Sequence, residues 1–271
     1  MISMKKRLDK LSEEDFYVLR GPLESGRQSP GSLAGNLLLT PFLLGIILGI
    51  ANLFVFLDRI EPAHPAVIAI CLICDLIGLI IIIYSIVYSI KGVYRSRETT
   101  QYFITIIVIQ SITFFLYLIM VYFIFDDVQF HHNYTHSQSN AVVFGIITFI
   151  IGIFVFIFAS IRFIKLLEKG EFRKGTRRDE TRMILENKIP QFTIYGIVLG
   201  TSVSLSGKQF VGIDLNDSFM VGLGVLLFFV MMFILPEQLV IWYCKHRFKS
   251  FNFNRKNEVY PLGSEWESQR N

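Results

Sequence analysis

Long apolar runs, set apart by short polar stretches, dominate the chain. Residues 37–57, 65–90, 102–125, 141–164 and 219–243 are mainly apolar throughout. Each reaches the length of about 20 residues that a helix needs to cross hydrocarbon. A sixth run, 190–205 (PQFTIYGIVLGTSVSL), is shorter and rich in small residues. By length alone it reads equally as a buried or re-entrant piece.

The charges between the runs decide how to count it. Lys and Arg number 6 in residues 1–36, 1 in 58–64, 3 in 91–101, none in 126–140, 9 in 162–188, 1 in 206–218 and 6 after Tyr243. Rich and poor connections alternate without a break. With six crossings, 24 of the 26 basic residues share one side. Loops rich in Lys and Arg stay cytoplasmic, so both termini are expected there. Without a crossing at 190–205, the 6 basic residues of the C-terminal tail would lie outside. The outer face then carries net −4 and the inner face net +10, and Asp75 and Glu237 fall within spans.

Composition agrees. Of 271 residues 52% are apolar and 18% charged, and the mean hydropathy is +0.51. Soluble domains carry about 25% charged residues, so too little polar surface exists to cover a water-soluble globule. Disorder requires low hydrophobicity and high net charge, which this chain lacks. The expected fold is therefore all-α: a polytopic membrane protein with six transmembrane helices in a bundle, 37–243, between cytoplasmic tails 1–36 and 244–271. The isoelectric point near 8.9 reports this topology and contact with anionic lipid. No nucleic-acid motif accompanies it. The first apolar run begins too late for a cleavable signal peptide, and the first span is expected to direct insertion.

Two aqueous segments carry local signals. Ser12-Glu13-Glu14-Asp15 reads as a capping signal for a short helix ended by Gly21-Pro22, and 24–35 (ESGRQSPGSLAG) reads as a linker. Such a tail is expected to be partly ordered, or an amphipathic helix on the inner leaflet. The basic hairpin 165–189 is expected to continue the fourth span, break near Gly170 and Gly175, and resume around Asp179. It reads as a solvated loop, or as a docking site for an acidic partner or anionic lipid.

Inside the spans, Gly45-x-x-x-Gly49 and Gly196-x-x-x-Gly200, the latter extended by Ser204, set small residues along one helix side. Close backbone approach is what lipid-embedded helices use to associate, so these positions are expected to pack helices together.

Charge in lipid is expensive, which singles out Asp75, Gln110 and Glu237. Asp75 lies ten residues past Pro65, roughly 15 Å below the outer boundary at about 1.5 Å per residue. Gln110 lies about 14 Å deep from the other side by the same rise. An Asp75–Gln110 hydrogen bond is expected. Glu237 follows Pro236, which should loosen its turn, and its expected partners are the inner headgroups, Lys91 or Arg162.

Cys71 and Cys74 form a CxxC inside a span, with Cys244 the only other cysteine. Desolvation suppresses thiol reactivity, so small apolar packing is expected. His131, His132 and His136, near Asp126 and Asp127, could hold a transition metal or sense pH, although no second histidine cluster accompanies them. Asn133-Tyr134-Thr135 is a formal glycosylation acceptor. No Walker A, GxSxG, HExxH or GxGxxG motif occurs in an aqueous segment, and no cofactor is expected. The leading expectation is a non-enzymatic accessory, regulatory or immunity-type subunit of a cell membrane. It would act through protein contacts made by 165–189. The runner-up is a small-solute or ion transporter, or the permease subunit of an ABC system, with Asp75 as its midplane polar site.

Overall fold

A computed structural model of the chain describes residues 6–53, 65–127, 134–181, 217–254 and 256–264. Among these the fold is helical, with a lone β-bridge between Phe253 and Val259. The main helices are α1 (Pro30–Asn52), α2 (Pro65–Ser89), α3 (Lys91–Ser96), α4 (Glu98–Asp127), α5 (Tyr134–Glu168) and α6 (Asp217–Arg247). Five of them, α1, α2, α4, α5 and α6, are long and apolar enough to cross a membrane. The run 190–205, with Gly196, Gly200 and Ser204, lies outside the described residues.

Two helices begin earlier than the apolar pattern suggests. α1 starts at Pro30, inside the stretch read as a linker. The Ser29 hydroxyl accepts the Ser32 N–H at 3.3 Å and Pro30 occupies the first turn. A Ser cap followed by proline is a helix start, and it outweighs the turn-like composition of Ser-Pro-Gly-Ser. α5 starts at Tyr134, because a helical ladder persists through polar residues as readily as apolar ones. α6 continues through Pro236.

The chain divides into two compact units, Met1–Gly21 with Met120–Pro236, and Pro22–Ile119 with Glu237–Asn271. In the second, α1 and α2 run antiparallel: Asn52 meets Asp75, and Leu48 meets Gly78. Leu37, Leu44 and Ile47 from one face of α1 pack with Ile81 and Tyr88 of α2 and with Val108 and Phe115 of α4. Gln101, fully buried, donates its amide to the carbonyls of Pro30 (3.0 Å) and Tyr88 (3.2 Å). It thereby ties the starts of α1 and α4 to the end of α2. In the first unit α5 meets α6 where Phe149 stacks on buried Phe228, with ring centres 6.3 Å apart.

Among the described residues, the glycines that permit close approach are not Gly45 and Gly49. A Cβ on Gly45 or Gly49 would meet nothing within 4 Å among the described residues, and both face outward. A Cβ on Gly78 would stand 2.4 Å from Leu48 Cδ1, and one on Gly152 would stand 2.4 Å from Phe228 Cε1. Outward faces elsewhere are equally apolar: Phe42 is 70% exposed, and Phe154 and Phe158 are each 66% exposed. Water would disfavour such faces and lipid chains would not.

These contacts rank the glycine substitutions. Gly152→Ala drives a methyl into an aromatic ring and should cost ~1–3 kcal/mol, the usual range for overpacking. Gly78→Ala should cost less, because the tip of Leu48 can rotate aside. Gly45→Ala should leave stability unchanged or slightly raised, since alanine favours helix and space is open. Thermal melting of the purified variants in one detergent checks the order.

Candidate functional site

The described part of the segment expected to dock a partner, 165–181, is folded, and its companion is the N-terminal tail. α5 ends in a Schellman turn. Gly170, at φ +74°, donates to the Leu167 carbonyl at 2.9 Å, and Glu171 donates to Leu166 at 3.2 Å. Glycine is the residue that takes this left-handed conformation without strain. Gly175 makes a second such turn at φ +77°. The Asp179 carboxylate then accepts the Gly175 N–H at 3.0 Å, and helix resumes at 177–181. The break and restart fall where the sequence places them.

The tail closes over this hairpin. Ser12 opens a 3₁₀ helix, Glu13–Arg20, followed by one α turn, Gly21–Glu24. The Asp15 carboxylate accepts the Ser12 N–H (2.8 Å) and hydroxyl (2.9 Å). Its other oxygen accepts Arg173 Nε at 2.6 Å. Burial of Asp15 works against its charge, but these bonds from Arg173 and Ser12 prevail and hold the carboxyl below its usual value. Val18 N–H donates to the Phe172 carbonyl at 2.9 Å. Arg7 Nε donates to Glu168 at 2.6 Å, with a second guanidinium N–H on the other oxygen. Lys174 stands over the Tyr17 ring at 5.8 Å. Beneath these contacts Phe16, Leu19, Leu167 and Phe172 are buried, with Phe163 edge-on to Phe172 at 5.1 Å. Where a partly ordered tail and a solvated loop were expected, the described residues 7–20 and 163–179 form one small folded body. Sequence reading missed it because each half supplies only half of the apolar surface and half of each ion pair.

Inside the apolar helices, Asp75 is half-buried and accepts Asn52 Nδ2 at 3.0 Å. Gln110 was the expected partner, and Asn52 is one that sequence reading did not name. The α1–α2 hairpin brings Asn52 level with Asp75. Gln110 stands on α4 and is itself engaged in an interaction. Glu237 is half-buried, within electrostatic reach of the Tyr102 hydroxyl. Lys91 is exposed and makes no ion pair among the described residues, and Arg162 stands over the Phe233 ring at 5.7 Å. Cys71, Cys74 and Cys244 are joined by no disulfide. His131, His132 and Asn133 lie outside the described residues, as does any account of the His136 side chain.

Sequence reading also missed Lys245, whose side chain is fully buried. It pairs with Glu98, donates to the Phe251 carbonyl at 3.0 Å, and lies over the rings of Tyr102 (5.6 Å) and Phe253 (5.2 Å). The other Glu98 oxygen accepts the Phe253 N–H at 3.1 Å. Asn252 closes the turn by donating to the carbonyls of Lys245 (2.8 Å) and Phe248 (3.1 Å). Residues 248–254 and 256–264 thus form a hook folded back on the ends of α4 and α6. Among the described residues, no three His, Cys, Asp or Glu side chains cluster closely enough to hold a metal.

The chain matches no protein-family model, no curated protein and no solved structure.

Lys245→Met strands a nearly buried Glu98 and should cost ~3–5 kcal/mol, the range for removing one partner of a buried pair. Adding Glu98→Gln keeps an acceptor for the Phe253 N–H and should recover most of the loss. Chemical denaturation of the single and double variants in detergent measures both.

Proposed function

We propose that this chain is a non-enzymatic protein of a cell membrane, with six spans and both termini in the cytoplasm. In this reading it is an accessory, regulatory or immunity-type subunit that works through protein contacts. The carrying observation is the folded body made by the N-terminal tail and the basic hairpin. Its internal ion pairs engage Arg7 and Arg173, while Lys174 and Arg177 remain on the outside. The charge asymmetry of the sequence supports a cytoplasmic location for this body. An outward basic surface of fixed shape suits an acidic segment of a partner protein, because complementary charge steers and orients encounter.

A second reading draws on the Asn52–Asp75 pair. A carboxyl held among apolar helices is a default functional candidate, and it suits a small transporter or a permease subunit.

Topology is tested with single cysteines in a chain whose Cys71, Cys74 and Cys244 are replaced by Ala. On intact cells an impermeant maleimide should label Lys208→Cys and should reach Trp266→Cys only after permeabilisation. Labelling of position 266 on intact cells defeats the six-span, cytoplasmic-terminus reading.

Partnership is tested by gentle detergent extraction. A protein should co-purify with the wild-type chain and be lost from Lys174→Glu/Arg177→Glu, which leaves the Asp15–Arg173 pair intact. A chain that purifies alone, and whose deletion abolishes a solute flux, favours the transport reading instead.

A further inference from the structure

We infer that the inner end of α5, with the docked N-terminal tail, forms a binding site for an anionic phospholipid. The inference rests on the cytoplasmic placement proposed above and uses a different set of lysines from the partner surface.

One face of α5 carries it. Phe154, Phe158, Ile161, Lys165 and Glu168 follow one another at four- and three-residue steps, which keeps them on one side of the helix. Phe154, Phe158 and Ile161 are exposed at 66%, 66% and 48%. In a bilayer this face lies against acyl chains. Lys165 sits one turn beyond Ile161, about 6 Å along the axis, where headgroups begin. Lys169 is one turn further. Both lysines are exposed, and neither makes an ion pair among the described residues.

The tail completes the site. Arg7 binds Glu168 through two guanidinium N–H groups, neutralising the one carboxylate on this face. That docking brings exposed Lys10 within electrostatic reach of Glu168, beside Lys165 and Lys169. Three lysine ammoniums therefore stand below a continuous apolar face. Such an arrangement fits a lipid with an anionic phosphodiester head: chains along Phe154 and Phe158, phosphate among Lys10, Lys165 and Lys169. A soluble acidic peptide would use the charge but leave the apolar half idle.

The test uses the full-length protein, stripped of lipid in a neutral detergent at physiological salt. Binding of phosphatidylglycerol and of phosphatidylcholine is compared by native mass spectrometry. Each lysine near an anionic surface contributes about fivefold, so three should together favour phosphatidylglycerol on the order of a hundredfold. Lys10→Gln/Lys165→Gln/Lys169→Gln should lose most of that preference and keep its melting temperature in phosphatidylcholine. Lys10→Gln alone, which leaves α5 untouched, should lose part of it. Equal affinity of the wild-type chain for the two lipids overturns the inference, as does an undiminished preference in a folded triple variant. Glycerol 1-phosphate is the probe for a bare phosphate site. It should not compete at equal concentration, and full competition overturns the assignment to lipid. None of these outcomes depends on whether a protein partner co-purifies.

Discussion

A charge withdrawn from water must find a partner, and this requirement shapes a polar cluster in each of the two units. Lys245 shows it most fully. Its ammonium has no solvent exposure, and removing such an ion from water costs several kcal/mol before any contact is counted. Glu98 supplies the counter-charge at the start of α4, where the helix dipole already favours an anion, and Lys245 lies in the last turn of α6, where it favours a cation. The remaining donors are met by the Phe251 carbonyl and two aromatic faces. The backbone hook at 248–254 and 256–264 is then a consequence: it must fold back for Phe251 and Phe253 to reach the pair.

The same logic governs the other unit on a more exposed scale. Asp15 is buried and finds Arg173 and the Ser12 cap. Arg173 is largely exposed, so the pair holds its geometry at little desolvation cost on the cationic side. Exposed ion pairs are individually weak. The aromatic and leucine core beneath them, Phe16, Leu19, Leu167 and Phe172, supplies the driving force, and the ion pairs select which surfaces meet.

What could be read from the sequence divides along this line. Signals local to one segment were legible: five of the apolar runs by their length, the Ser12 cap, the break at Gly170 and Gly175, and the restart before Asp179. Signals that need a second segment were not. Asn52 is an amide inside an apolar run, as telling as Asp75, yet only the hairpin register pairs the two. Gly45 and Gly49 satisfy a motif but face outward, while Gly78 and Gly152 satisfy none and sit under a side chain. A spacing motif states which residues share a face; it does not state which face is covered. The Ser29-Pro30 start was a local signal overlooked, because proline and glycine beside serine read as linker when composition is weighed before capping.

Positive charge on a loop is enough to keep it in the cytoplasm, and a topological signal of that kind works without any fixed conformation. The hairpin here goes well beyond that need. It uses a Schellman turn, a second left-handed glycine, a carboxylate that caps the restarted helix, and a docked tail contributed from the far end of the chain. Ordering a residue costs about 1–2 kcal/mol of backbone entropy, so such a segment stays folded only because buried side chains offset it. A topological signal needs no such ordering, since charge composition alone can act as one. The ordering fixes the positions of the lysines and arginines that remain outside the internal pairs, and fixed positions are what distinguish a recognition surface from a solvated charge run.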